Sequence, residues 1–295
     1  MKKILAWLKK PQLFHRILRK IIKLLFFEQW IILFSPAGKR WADFSPLLPP
    51  KDRIWADPFL WERDGKKVIF YEEQFLDTLR GRISCIILDD AGQIAENFPV
   101  LERPYHLSYP FLFEYDEQLY MLPESKQSHR IELYRCLHFP DEWAFERVLM
   151  PNVDAVDSTL LAFEGKWWLF TTLLSESGSS WEELSLFYAD HPLSDVWTPH
   201  PQNPIVRDVH NARSAGRIFT SEGQLIRPAQ DCSVRYGYAT NFNRIRTLTE
   251  NAYAETRISA FEPRFFSKYY ATHTWNEVGT ARVIDAQMWR LKWGK

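Results

Sequence analysis

The sequence predicts an all-β protein: a five-bladed β-propeller preceded by a short N-terminal amphipathic helix. Two observations carry this prediction. A hairpin pattern recurs, with starts at Asp57, Tyr109, Ser158 and Ser214 and a degenerate copy near His273. The starts lie roughly 50 to 60 residues apart, and a period of that size with several strands per unit marks a propeller. Composition agrees, because 46% apolar and 16% aromatic side chains in 295 residues can furnish both strands and a core.

The chain divides at residue 27. Residues 1–27 contain eight Lys or Arg and no acid, which leaves 29 basic against 37 acidic side chains in 28–295, a net of −8. Leu13, Phe14, Ile17, Leu18, Ile21, Leu24 and Leu25 fall on one face of a helix, with Arg16, Arg19, Lys20 and Lys23 mainly on the other. The segment is too charged to span a bilayer, and its charges are too scattered for a cleavable leader. It suits an anionic membrane surface, or a helix packed on the propeller with a solvated basic face. The acidic remainder argues against nucleic acid as a partner. Cys85, Cys136 and Cys232 form no metal-type pair. They read as reduced, buried thiols, so the expected location is cytoplasmic, peripheral at the inner membrane.

Within 28–295, Trp30–Phe34 reads as an early strand that closes the ring by joining the last blade. In the first blade, Asp57-Pro58 opens a strand that turns at Glu62–Gly65 and returns through Lys67–Tyr71. Proline fits there because it has no N–H to donate to a ladder. The second blade runs from about 101 to 150, and its second strand ends in Leu122-Pro123-Glu124. The third starts at Asp157 and returns through Lys166–Phe170, and the fourth reads as Ser214–Phe219 and Gln224–Pro228. The last contains His273 and ends in Val283–Gln287.

The innermost strand of each blade lines the central channel, so equivalent positions converge on one funnel. These are Asp57, His106 to Tyr109, Asp157, Arg213 and His273, with Glu73, Glu124 and Arg227 returned to the same side by the second strands. Gln230 lies just beyond Arg227. Facing carboxylates can divide into acid and base, and arginine suits a ligand phosphate or carboxylate. The same groups can instead pair with each other and hold the blades together. No glycine-rich phosphate loop, zinc motif or Ser-His-Asp motif is visible, so neither a cofactor nor a metal is expected.

WADPFL at 55–60, SYPFLFEYDEQLYMLPES at 108–125, DSTLLAFEGKWWLF at 157–170, NARSAGRIF at 211–219 and LIRPAQD at 225–231 together form a recognisable set. The chain resembles the bacterial and plant five-bladed propeller group related to glycoside hydrolase family 43. That group includes the N-terminal domain of plant glucosamine inositolphosphorylceramide transferase. The resemblance spans about residues 28–290 and implies a carbohydrate site in the funnel. Family 43 hydrolases place an aspartate base on the first blade, a second aspartate on the third and a glutamic acid donor on the fourth. Asp57 matches the first and Asp157 the second. The fourth departs, since Asn211-Ala212-Arg213-Ser214 holds an arginine that cannot donate a proton at neutral pH. Glu124 or Glu73 would then supply the acid.

The expected function is a glycosyltransferase-like, carbohydrate-active enzyme of surface glycan or glycolipid synthesis at the cytosolic membrane face. Asp57, Asp157 and Glu124 are its candidate catalytic groups. Glu73, His106, Tyr109, Arg213, Arg227, Gln230 and His273 are its candidate substrate-binding groups. Its partners would be a sugar or glycolipid, with a nucleotide-sugar donor meeting the arginines. A furanosidase-like hydrolase and a non-catalytic glycan-binding propeller are the alternatives.

Overall fold

The computed structural model describes residues 24–174, 179–263 and 268–292. The helix expected over 1–27 therefore lies outside the described residues as far as position 23. The described chain starts beside β1 (Phe26–Ser35), which is buried from Gln29 to Ser35 and pairs with the short β2 (Ser45–Leu47). A strand covered on both faces reads as a continuous apolar run, and Trp30–Phe34 is one.

Blade one contains β3 (Arg53–Arg63), β4 (Lys66–Phe75), β5 (Gly81–Leu88) and β6 (Ile94–Leu101). Blade two contains β7 (Ser108–Tyr115), β8 (Gln118–Glu124), β9 (Arg130–His138) and β10 (Glu142–Pro151). Blade three is β11 (Ala155–Phe163), β12 (Lys166–Leu173) and β13 (Glu183–Ala189), with β14 (Thr198–Pro199) and β15 (Val206–Arg207) along its edge. Blade four is β16 (Phe219–Ser221), β17 (Gln224–Asp231), β18 (Ala239–Leu248) and β19 (Tyr253–Phe261). Blade five joins β20 (Tyr269–Ala271), β21 (Trp275–Val278) and β22 (Ala281–Leu291) to β1.

All the ladders are antiparallel, and β1 pairs with β22 from Phe26↔Leu291 to Ser35↔Arg282. The first strand thus closes the ring onto the last, as its sequence predicts. The inner strands β3, β7, β11 and β16 each end their sheet at the axis, where the propeller leaves only short, protected edges. Apolar side chains pack between neighbouring blades, for example Phe70 against Trp143 with ring centroids 5.7 Å apart. Among the described residues, no helix is long and apolar enough to cross a membrane.

One predicted strand is not formed. Ser214–Ile218 makes only the bridge Ser214↔Ala229, and regular pairing starts at Phe219. Gly216 breaks it, with φ at +124° and its N–H bonded at 2.8 Å to the hydroxyl of Tyr109 across the channel. A Cβ here would lie 2.1 Å from the carbonyl oxygen of Trp275, so only glycine fits between blades four and five. Gly216→Ala should destabilise the protein by at least about 1–3 kcal/mol, the usual cost of one strained backbone residue. Urea denaturation measures this, and an unchanged midpoint would contradict the described contact.

Candidate functional site

The same backbone device opens the first strand of three blades. The ladders skip between Ala56 and Phe59, between Ser108 and Phe111, and between Val156 and Thr159. At each bulge sits a non-glycine residue in the left-handed region: Asp57 (φ 50°), Tyr109 (φ 43°) and Asp157 (φ 50°). Bulges re-aim side chains, and aspartate tolerates this conformation better than most residues. The result is a polar wall around an axial funnel of about 250 Å³, lined by Asp57, Glu72, His106, Glu124, Arg213 and His273 among others. A larger cleft of about 720 Å³ runs along the outer rim by Trp41 and Arg257–Glu262, but it gathers no comparable set of buried titratable groups.

Asp57 and His273 form the first centre. Oδ1 of Asp57 accepts the hydroxyl of Thr274 at 2.9 Å and lies 3.1 Å from Nε2 of His273, while Oδ2 accepts the N–H of Tyr109 at 3.3 Å. Nδ1 of His273 lies 2.9 Å from Oδ2 of Asp285, which also accepts the N–H of Asp57 at 3.2 Å. The imidazole is tilted against Trp30 and Tyr236, at 4.3 and 5.2 Å between centroids. Burial works against charge on His273, but Asp285 and Asp57 outweigh it and hold the ring as imidazolium. Burial likewise opposes ionisation of Asp57, yet His273 keeps its pKa below the ordinary carboxylate value. Among the described residues, Asp57, His273 and Asp285 are the one group with metal-type spacing, their ligand atoms within 4.8 Å of one another. A cation would fit there only after His273 lost its proton.

Asp157, Arg213 and Glu124 form the second centre. Oδ2 of Asp157 accepts Nε of Arg213 at 2.6 Å and the side-chain amide of Gln230 at 3.0 Å. The Arg213 guanidinium lies over the ring of Tyr236, 5.1 Å from its centroid, and reaches Ser180 at 3.1 Å. Glu124 is left without a strong donor: its Oε2 is buried, has no hydrogen bond and stands 3.9 Å from Arg213. Burial, and then the negative charge of Asp157, push Glu124 up to about 8. Burial raises Asp157 as well, but of the two coupled carboxyls it has the donors Arg213 and Gln230, so Glu124 holds the proton at pH 7. Glu72 is also raised by burial, against the opposing contact of His106, whose Nε2 lies 3.2 Å from Oε1. Nδ1 of His106 accepts the N–H of Gly81 at 2.9 Å, which fixes Nε2 as the protonated nitrogen facing Glu72.

Not every residue singled out from the sequence reaches the funnel. Asp57, Glu124, Arg213, His106 and His273 line the funnel, while Asp157 is buried against Arg213 with Gln230 bonded to it. Tyr109 contributes its N–H, while its side chain is fully buried below the funnel, where its hydroxyl bonds Thr159 at 2.8 Å. Glu73 points to the other face of β4, held by Arg53, Arg82 and Ser84 at 2.8–2.9 Å. Arg227 is paired with Glu255 at 2.6 and 2.8 Å, away from the funnel. Arg213 and His273, the positive groups on the funnel wall, each face an aspartate already. The sequence reading passed over Glu72, Trp30, Tyr236 and Asp285. Strand parity would have found Glu72, since it is one residue from Glu73 and Ala56 stands opposite it in the ladder. Asp285 carries a signal of its own, a lone acid inside the apolar run Val283-Ile284-Asp285-Ala286.

The raised pKa of Glu124 has a stability consequence. The folded protein keeps this proton up to about pH 8, whereas the unfolded chain releases it near 4.5. The favourable contribution of the neutral acid is complete below pH 4.5 and is lost as pH rises through the folded pKa. Glu124→Gln should therefore flatten the fall in stability between pH 4.5 and 8. Denaturation midpoints across that range measure this, and parallel curves for the two proteins would refute it.

Residues 49–293 match the family described as glucosamine inositolphosphorylceramide transferase 1, N-terminal. The chain is 38% identical over 208 residues to the rice (Oryza sativa subsp. japonica) glucosamine inositolphosphorylceramide transferase 1, covering 69% of this chain and 28% of the rice protein. The Arabidopsis thaliana protein of the same name is 34% identical over 207 residues, covering 69% and 27%. This chain thus spans under a third of the curated relatives it matches. Two solved structures share the fold at low identity. The catalytic domain of the Coprinopsis cinerea family 62 α-L-arabinofuranosidase superposes with a TM-score of 0.60 at 12% identity, over 85% of both chains. Zg3597, a family 117 glycoside hydrolase of Zobellia galactanivorans, gives 0.56 at 12% identity, over 89% of this chain and 90% of its own. The family match covers most of the chain, and the protein belongs to the glucosamine inositolphosphorylceramide transferase 1, N-terminal family.

Proposed function

We propose that this is a carbohydrate-active, glycosyltransferase-like protein that binds a sugar in the axial funnel and acts in glycan or glycolipid synthesis. The observation that carries the reading is the split between carboxyls on one wall. Glu124 is protonated at neutral pH, while Asp57 is held ionised by His273. Groups separated in this way supply the acid and the base of glycosyl transfer. Glu124 would give its proton to the oxygen leaving the anomeric carbon. Asp57 would take the proton of the attacking hydroxyl as the new bond to that carbon forms. An acceptor sugar as attacker gives transfer; water in its place gives hydrolysis, the second reading, which the same carboxyl pair supports. The names of the plant relatives favour transfer.

The wall also sets the sugar class. Its positive groups already serve Asp57, Asp285 and Asp157, so a ligand phosphate finds no unpaired cation among the described wall residues. Neutral hydroxyls, or an amine, match the remaining carboxyl oxygens better than an acidic sugar does. The glucosamine in the relatives' name is consistent with this preference.

Saturation-transfer NMR with neutral, amino and acidic monosaccharides tests the reading. Neutral or amino sugars should bind at pH 7, and uronic acids should not. Glu124→Gln and Asp57→Asn should retain binding, while turnover of any transferred or hydrolysed glycoside falls about 10²–10⁴-fold, the usual contribution of a general acid or base. Full turnover in both variants would remove the acid and base roles of Glu124 and Asp57, and sugar binding with no turnover by the wild type would leave a glycan-binding propeller without catalysis. Binding of uronic acids alone would overturn the site assignment.

A further inference from the structure

In every blade the inner strand runs away from the funnel. The loops between second and third strands, and those linking one blade to the next, therefore gather on the funnel face. The distribution of exposed apolar side chains follows this face closely. Leu76 and Leu79 occupy the β4–β5 loop, Trp181 the β12–β13 loop and Val234 the β17–β18 loop. Leu48 lies in the link into blade one, and Leu24, Leu25 and Leu291 mark the ends of β1 and β22. These are eight of the thirteen exposed large apolar side chains among the described residues, and Leu24, Val234 and Leu79 are 68, 66 and 64% exposed. Loop tips are normally polar, so apolar tips collected on one face call for a partner.

Two further observations say what the partner is. Arg235 projects beside Tyr270 and Tyr238, at 5.0 and 5.7 Å from the ring centroids, and Tyr270 leans on Trp289 at 5.9 Å. Aromatic and basic side chains side by side suit the headgroup layer of a bilayer. The described residues start on this face at Leu24, and residues 1–23 of the sequence carry eight Lys or Arg and no acid. A basic stretch joined to an apolar-tipped face is complementary to anionic lipid rather than to an acidic protein surface alone.

We infer that the funnel face docks on an anionic lipid bilayer, with the loop tips entering the headgroup layer and the funnel mouth turned to the membrane. This goes beyond the sugar-binding reading and does not depend on it.

The test is flotation of the full-length protein with vesicles of phosphatidylcholine, with or without phosphatidylglycerol, at low and high salt. Binding should require phosphatidylglycerol and weaken with salt. Leu79→Glu with Val234→Glu should lower binding about tenfold or more, since each places a charge where an apolar tip enters the interface. Val196→Glu, at a 73% exposed position on the opposite face, should leave it unchanged. Circular dichroism melting establishes that the variants remain folded. Wild-type binding by the Leu79/Val234 variant would show that the terminal segment alone holds the protein, and would overturn the inference. So would equal loss in Val196→Glu, or no binding by the wild type. A dimer broken by the Leu79/Val234 changes, with vesicle binding intact, would make the face an interface between copies instead. Glu124→Gln should bind vesicles as the wild type does, so failure of sugar binding with vesicle binding retained would defeat only the functional reading.

Discussion

The imidazolium of His273 is the contact on which the ring and the funnel both depend. It bridges Asp57 at the head of the first blade and Asp285 in the strand that meets β1, so it sits where the ring closes. All three side chains are buried, and taking any one away would leave a buried charge without its partner. The backbone reinforces the bridge, because Asp285 also accepts the N–H groups of Asp57, His273 and Thr274. Trp30, supplied by the closing strand, covers the ring of His273. Closure of the propeller and ionisation of Asp57 are therefore one arrangement, and neither can be altered without the other.

The three bulges show how a repeat is turned to separate uses. Asp57, Tyr109 and Asp157 share a backbone conformation and a blade position. Two are acids, of which Asp57 lines the funnel and Asp157 anchors the Arg213 that does. The third is a tyrosine that fills the channel below and bonds Thr159 and Gly216 from two other blades. Its N–H still serves the wall by donating to Asp57. The axial pocket has a floor because blade two departs from the pattern of its neighbours.

Much of this was legible in the sequence, and the failures have physical causes. The blade count follows from the recurring hairpin, and the closing strand from an apolar run buried on both faces. Asp57, Asp157 and Glu124 emerge because equivalent positions in a radial repeat converge. Glu73 and Arg227 do not, because a strand alternates its faces residue by residue. One step along β4 exchanges the funnel for the gap between blades, where Arg53 and Arg82 wait. The broken strand at Ser214–Ile218 was hidden because its pairing is lost to a contact with Tyr109, more than a hundred residues away in sequence. Local pattern has no access to such a contact. The use of Arg213 was hidden for the same reason: the sequence shows a cation near carboxylates, but only the fold decides whether it faces them or a ligand.

That decision about Arg213 settles where the proton of the second centre resides. Asp157 and Glu124 are both buried and near each other, so they cannot both be charged cheaply. Arg213 reaches Asp157 at 2.6 Å and Glu124 at 3.9 Å, and Gln230 adds its amide to Asp157 alone. The oxygen that holds the donors keeps the negative charge, and the proton falls to Glu124. Across the funnel His273 makes the opposite choice for Asp57, by offering it a positive charge that Glu124 lacks at close range. Two carboxyls in one cavity thus differ because the near cations face Asp57 and Asp157 and leave Glu124 at a distance. An arginine in the fourth blade, which removes the acid a family 43 hydrolase would place there, is the group that leaves an acid on the second.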